Sequence, residues 1–344
     1  MPEKTVRFHL AKLLKKEIHG NLFLALFLSL FLFFLGFWAS RSVEIPNLLP
    51  KIKEVRNPKG YQFINPLLDC DNTNMETSSD MLNLRKAITE IIEREKKDNQ
   101  ISLISVYFRD LNNGPWFGIN EHKIFSPASL IKVPVLITYY KMAESDPSIL
   151  KKTIVNAKQT REEQNIVPQQ TIVYNQTYTI EDLINRMIIY SDNTAYEILS
   201  ESIDYKKFMD LFDYLGVDFS KALTDPLGNI ISVKDYAAFY RILFNASYLN
   251  KEMSEKALKL LSQTTYKNGL VARLPSNLIV AHKFGERKYL VTAEVQLHDC
   301  GIVYLPNHPY LICVMTRGKD FASLESVIQD ISFVAYQNSF GNSN

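Results

Sequence analysis

The sequence predicts an α/β chain in the form of an α+β sandwich: one sheet flanked by helices, plus an all-helical lobe, behind an N-terminal transmembrane helix. Three observations carry this. Leu22 to Trp38 is an apolar run interrupted only by Ser29 and Gly36. Strand-like segments stand at both ends of the remaining chain. The long stretch between them is helical in pattern. A sheet that draws strands from both ends around a helical insert explains that order better than two unconnected domains.

Lys4, Arg7, Lys12, Lys15 and Lys16 precede the apolar run. Extended by Asn21, Ala39 and Ser40, the run makes a helix of about 30 Å, enough to cross a hydrocarbon core. The basic excess predicts a cytoplasmic tail over 1–20, an anchor over 21–40 and an exported remainder at the cell membrane. A cleaved signal peptide is the rival. The run is longer than a usual signal core, and bulky Phe37 and Trp38 stand where cleavage wants small residues. Residues 41–78 carry Pro46, Pro50, Pro58 and Pro66 with scattered charge, which reads as an extended spacer. Its middle, Tyr61 to Leu68, is apolar enough to dock on the domain that follows.

That domain is expected over 79–340. From Met81 to Lys97 the apolar positions Leu82, Leu84, Ala87, Ile88, Ile91 and Ile92 fall at helical spacing. Ile101–Arg109 and Trp116–Ile119 flank Asn112-Asn113-Gly114, turn chemistry that predicts a hairpin. Pro127 to Leu261 is mostly helical. Leu278–Gly285, Gly301–Leu305 and Tyr310–Thr316 read as strands, and Ser323–Tyr336 as a closing helix.

Bulk numbers exclude several function classes. Over 344 residues, 46% are hydrophobic and 22% charged, an ordinary globular balance, and a net charge of +2 gives no reason to expect a nucleic-acid partner. The three Cys (Cys70, Cys300, Cys313) form no C-x-x-C pair, so no metal site and no cofactor is expected. The odd count argues against a disulfide framework, and Cys300 and Cys313 read as small buried strand residues.

The chemistry begins at Ser129-Leu130-Ile131-Lys132. A Ser and a Lys three apart on a helix share a face, so the amine reaches the hydroxyl. Pro127 suits a helix start, which puts Ser129 in the first turn, where backbone N–H groups favour developing negative charge. A desolvated lysine can serve as base to such a serine. The spacing alone is common: Ser148-Ile149-Leu150-Lys151 repeats it and reads as a solvated helix edge. What changes the odds is company. Ser191-Asp192-Asn193 follows at a helix start, and Lys283-Phe284-Gly285 follows inside a strand.

These three segments, in this order, resemble the S-x-x-K, S-D-N and K-T-G signature of class A β-lactamases and penicillin-binding proteins. Ser126 to Pro134 resembles the family's nucleophile segment, and Ile279 to Lys283 the approach to its third motif. The resemblance runs from about Met81 to Phe340. It implies an antiparallel five-stranded sheet beside an all-helical lobe. It implies Ser129 as the acylated nucleophile, Lys132 as its base, and Ser191 as proton relay to the leaving nitrogen. Asn193 would bind Lys132 and the substrate amide, and Lys283 would supply positive potential. Phe284 and Gly285 would line the substrate, and the N–H groups of Ser129 and Glu286 would form the oxyanion hole. Asp192 reads as the loop-holding member of its triplet. His282 and His298 read as packed or solvated residues, since the family needs no histidine.

Three departures stand out. Phe284 occupies the place of the Thr or Ser hydroxyl that binds the substrate carboxylate, with Arg287 and Lys288 downstream as electrostatic substitutes. His298-Asp299-Cys300-Gly301 stands where an Arg is expected, after a segment longer than usual. The loop before Ser232 is short, and Asp225 of Asp225-Pro226-Leu227-Gly228-Asn229 is its one candidate deacylation base, or else a turn residue. The substrates left in competition are a β-lactam and a cell-wall peptide ending in D-alanine. The alternative class is a catalytically silent module that grips wall fragments or a protein partner.

Overall fold

The structure is a computed structural model that describes residues 28–32, 34, 55–56, 60–69, 79–112, 114–157, 172–219, 225 and 227–340. The chain divides into two compact units, Met1–Lys51 and Ile52–Asn344. In the first, residues 28–32 and 34 are helical and exposed. The rest of the expected tail and anchor lies outside the described residues. Among the described residues no helix is long and apolar enough to cross a membrane. Most of the expected spacer, Asn113 of the expected turn, and Pro226 also lie outside them.

The second unit holds a five-stranded antiparallel sheet. It starts with helix α1 (Ser79–Glu95), whose Met81, Leu84, Ile88, Ile91 and Ile92 are buried at the spacing of one helical face. Strands β1 (Ile101–Asp110) and β2 (Trp116–Ile119) form the hairpin. A 3₁₀ turn, Ala128–Ile131, opens the helical lobe, followed by α2 (Lys132–Ser145), α3 (Ile180–Ile189), α4 (Asn193–Ser202), α5 (Tyr205–Leu215), α6 (Val233–Phe244) and α7 (Lys251–Leu261). The chain then returns to the sheet as β3 (Val280–Lys288), β4 (Val295–Val303) and β5 (Tyr310–Gly318), and closes with α8 (Phe321–Phe340). The strand order is β2-β1-β5-β4-β3. Two short ladders tie the lobe together, Ile124–Phe125 with Ile231–Ser232 and Thr153–Val155 with Thr177–Thr179.

Alternation along the strands sorts their side chains between two cores. Val280 and Phe284 join Val295, Leu297, Ile312 and Val314 beneath α1 and α8. Ala281 joins Cys300, Ile302, Leu311 and Met315 beneath the helical lobe. The helices start at side-chain caps: Thr179 caps α3, Asp192 α4, Asp204 α5, Ser232 α6 and Asn250 α7.

Two sequence expectations need correction. The strand expected at Gly301–Leu305 is Val295–Val303, buried along its whole length. Gln296, His298 and Asp299 broke the apolar pattern, but all three are buried and hydrogen-bonded. Cys300 and Cys313 are buried strand residues, and they are also paired. They face each other across β4 and β5 as a disulfide, with Cα atoms 4.0 Å apart. Two Cys on adjacent strands in direct register meet this geometry without backbone movement.

A strap from the spacer, Tyr61 to Pro66, lies on this unit. Phe63 and Ile64 are buried, and the Phe63 ring packs edge-on against Tyr304 at 5.2 Å. Glu255 of α7 accepts the N–H groups of Gln62, Phe63 and Ile64 at 2.7, 2.9 and 3.0 Å.

Candidate active site

The 3₁₀ turn that carries Ser129 is built against the edge strand β3. Gly285 makes the approach possible: a Cβ there would meet Leu130 N and Pro127 O, each at 3.0 Å. Ala128 just before the serine takes φ 47°, a left-handed conformation uncommon for a residue with a Cβ. Three groups of the preceding Ser126 are tied down. Its N–H donates to Gln296 Oε1 at 3.1 Å, its carbonyl faces His298 Nε2 at 3.0 Å, and its hydroxyl accepts from Arg287 Nη1 at 2.9 Å. Tyr236 OH donates to Leu130 O at 3.0 Å. Ser129 itself is half-buried, on a turn held from both sides.

Lys132 opens α2 and is buried. Its Nζ donates to the Ser191 carbonyl at 2.6 Å, to Asn193 Oδ1 at 2.7 Å and to Ser191 Oγ at 3.1 Å. Ser191 also has φ in the left-handed region, 57°, which turns the chain between α3 and α4. Asp192 holds that corner by accepting from Ala195 N at 2.9 Å as the cap of α4. Burial raises the Asp192 carboxyl, and the bond from Ala195 and the charge of Lys132 work against the rise.

Lys283 completes the group from β3. Its Nζ donates to Ser191 Oγ and to Phe284 O, both at 2.8 Å. Burial holds its ammonium well below the usual lysine range. Lys132 adds to that, whereas Asp299 and Glu286 oppose it. Ser191 Oγ therefore accepts from two lysines at once. An oxygen that accepts twice keeps its own proton to donate, so this hydroxyl is suited to pass a proton onward.

Phe284, expected to line the substrate, does not present its ring to the face that carries Gly285 and the nucleophile turn. The ring is buried, stacks on Tyr266 at 4.0 Å, and covers Lys283 Nζ at 4.2 Å from its centroid. Glu286 follows, half-buried, on the same unpaired edge of β3. Asp225 Oδ1 accepts from Leu227 N at 2.7 Å and Asn229 N at 3.2 Å, so the carboxylate closes its own turn. The loop after it is bound to the sheet, with Tyr289 OH donating to Leu227 O at 2.8 Å and Gln296 Nε2 and Arg317 Nη2 both donating to Asn229 Oδ1 at 3.0 Å. The second S-x-x-K copy is exposed, with Ser148 bonded to Asp146.

Ser126, Arg287, Gln296 and His298 were not readable as a group from the sequence. They are single polar residues in apolar surroundings, and a strand pattern does not say what a lone buried polar residue meets. His298 illustrates this. Thr316 N donates to its Nδ1 at 3.3 Å while Nε2 faces the Ser126 carbonyl, so the ring is held neutral, and burial lowers its pKa to about 3.

Comparison with known proteins agrees with this geometry. A model of the β-lactamase enzyme family matches residues 83–339. The fold is similar to a β-lactamase from Chitinophaga pinensis DSM 2588, with 22% identity, a TM-score of 0.63, and coverage of 74% of this chain and 98% of that one. A β-lactamase from Sphaerobacter thermophilus DSM 20745 is similar at 21% identity and TM-score 0.64, over 74% of this chain and 96% of that one. The structure of PBP-A is similar at 21% identity and TM-score 0.60, over 74% and 95%. At these identities the likeness is one of fold. No curated protein sequence matches the chain. The family model spans most of the chain and coincides with the domain that brings Ser129, Lys132, Ser191, Asn193 and Lys283 into one site, and the protein belongs to the β-lactamase enzyme family.

Proposed function

We propose that this protein is a serine acyl-enzyme hydrolase acting on β-lactams or on cell-wall peptides ending in D-alanine. The observation that carries the reading is Ser191 Oγ accepting from both Lys132 and Lys283 beside the Ser129 turn. Ser129 Oγ attacks the substrate carbonyl as its proton passes towards Lys132. The N–H groups of Ser129 and Glu286 hold the oxyanion, a contribution of about 10²–10³ in rate per donor. The proton moves through Ser191 to the leaving nitrogen, the C–N bond breaks, and an ester on Ser129 remains. Water then releases it.

The last step is the slow one in this reading. A base must come within about 2.6–3.2 Å of the attacking water. Asp225 is occupied by its own turn, which favours penicillin-binding behaviour over fast antibiotic turnover. A structure of PBP-A has been solved as an acyl-enzyme complex with penicillin G. The exported, membrane-anchored placement belongs to the same proposal and rests on Leu22–Trp38 and the basic residues before it.

Intact-mass analysis after brief exposure to penicillin tests the reading. One persistent adduct is expected, mapping to Ser129 and absent in Ser129→Ala. Asp225→Asn should leave its lifetime nearly unchanged. Rapid steady-state hydrolysis with no adduct would refute slow deacylation, and an adduct on another serine would refute the nucleophile.

A further inference from the structure

Asp299 lies in the middle of β4, fully buried, and takes no part in the chemistry above. Its Oδ2 accepts from Leu270 N at 2.9 Å, and its Oδ1 stands 2.9 Å from His282 Nδ1. A carboxylate only accepts, so Nδ1 of His282 carries a proton. The chain is shaped around this group: a Cβ on Gly269 would fall onto Asp299 Oδ2 and the Tyr266 ring.

The segment Thr264 to Leu270 runs from that carboxylate to the candidate site. Thr264 Oγ1 donates to His282 O at 2.9 Å. Thr265 N and Oγ1 both donate to Ile189 O at 3.0 Å, just before Ser191. Tyr266 stacks on Phe284, whose ring covers the Lys283 ammonium. The ionisable groups around Lys283 come from several elements. His282 and Glu286 lie on β3, Lys132 on α2, Asp192 at the α4 cap and Asp299 on β4. Tyr236 and Tyr240 lie on α6, and Tyr266 is tied by its hydroxyl to Glu325 of α8 at 3.1 Å. Lys132 opposes the Lys283 charge, and Asp299 and Glu286 favour it.

We propose that Asp299 is a positioning residue for Lys283. It is the buried counter-charge that keeps the ammonium charged, and it anchors the loop that presses Tyr266 and Phe284 against it. The Lys283 side of the site is then an aromatic wall in place of a hydroxyl-lined carboxylate pocket. The inference takes Lys283 as a site residue, as in the proposed function, but its test does not need acylation. Removing the carboxylate leaves burial and Lys132 acting on Lys283 with less opposition, which drives it towards the neutral amine.

The full chain in detergent micelles, labelled with ¹³Cε-lysine, reports the Lys283 titration directly by NMR, with the signal assigned by Lys283→Arg. Asp299→Asn should move the midpoint to lower pH by one unit or more, a tenfold change in the charged-to-neutral ratio. The alkaline limb of Ser129 acylation should move with it. A folded Asp299→Asn protein with an unmoved Lys283 midpoint overturns the proposal, even if activity falls uniformly at every pH, which is the signature of a purely structural role. If Asp299→Asn does not fold, linkage supplies the reciprocal measurement. In Lys283→Met the ¹³Cγ signal of Asp299 should titrate at higher pH than in the unaltered chain, and an unmoved signal overturns the proposal. A chain whose Ser129 resists every acylating probe would refute the proposed function and leave the NMR result to decide this inference.

Discussion

Glu255→Gln isolates how the strap is held. In the unaltered chain one carboxylate accepts three successive backbone N–H groups, from Gln62, Phe63 and Ile64. The strap has other holds: Tyr304 OH donates to Phe63 O at 3.0 Å, and Asn65 N to Phe244 O at 2.9 Å. Arg56 Nη1 donates to Asn65 O at 2.9 Å. The amide keeps the shape of Glu255 and removes its charge. Hydrogen bonds to a charged group contribute about 1.5–3 kcal/mol and neutral ones about 0.5–1.5, so three bonds lose about 3 kcal/mol together. The Gln62 bond is exposed and counts for less, which brings the expectation to about 2 kcal/mol. The opening equilibrium of the strap should rise by about thirtyfold, since each 1.4 kcal/mol is tenfold. Native-state hydrogen exchange at the Phe63 and Ile64 amides reads this directly. Unchanged exchange there would mean that apolar burial of Phe63 and Ile64 holds the strap and the carboxylate adds nothing.

Three further outcomes follow from the same structure. Gly285→Ala pushes a Cβ into backbone atoms of Leu130 and Pro127 that cannot swing aside; a displacement of about 1 Å in the nucleophile turn costs about 10²-fold, which stopped-flow acylation would detect. Phe284→Thr removes a ring stacked on Tyr266, and should cost about 3 kcal/mol in urea unfolding with no gain in acylation by carboxylate-bearing β-lactams. His298 is buried neutral with its pKa lowered from 6.5 to about 3, so its contribution to stability is fully present above pH 6.5 and is lost as pH falls towards 3. The loss runs at about 1.4 kcal/mol per pH unit. Urea midpoints between pH 7 and pH 5 should show it, and His298→Gln should flatten that slope.

Much of the site was legible because its residues sit in short segments whose chemistry depends on local spacing. Ser129 and Lys132 share one turn, and Ser191 and Asn193 flank a cap. Gly285 sits where a strand needs to pass close to another backbone. Each of these is decided within a few residues, as are the helical face of Met81 to Ile92 and the hairpin after it. The extent of β4 was not legible, because Gln296, His298 and Asp299 look like surface residues until their buried partners are known. The same holds for Phe284, whose substitution in the motif reads as a lost hydroxyl and whose packing on Tyr266 shows what replaced it.

The sequence by itself determined the order of elements, the family and the identity of the reactive groups, because periodicity and motif spacing are properties of neighbouring residues. Only the tertiary structure decided which groups meet. It brought Lys283 to the hydroxyl of Ser191, joined Cys300 to Cys313, and turned Asp225 onto its own backbone. It also set Asp299 behind the Lys283 strand and laid Glu255 under the strap. Those outcomes depend on strand register and on the burial of polar groups far apart in the chain. A buried charge or amide is stable only where the folded chain supplies its partner, and that partner has no fixed place in the sequence.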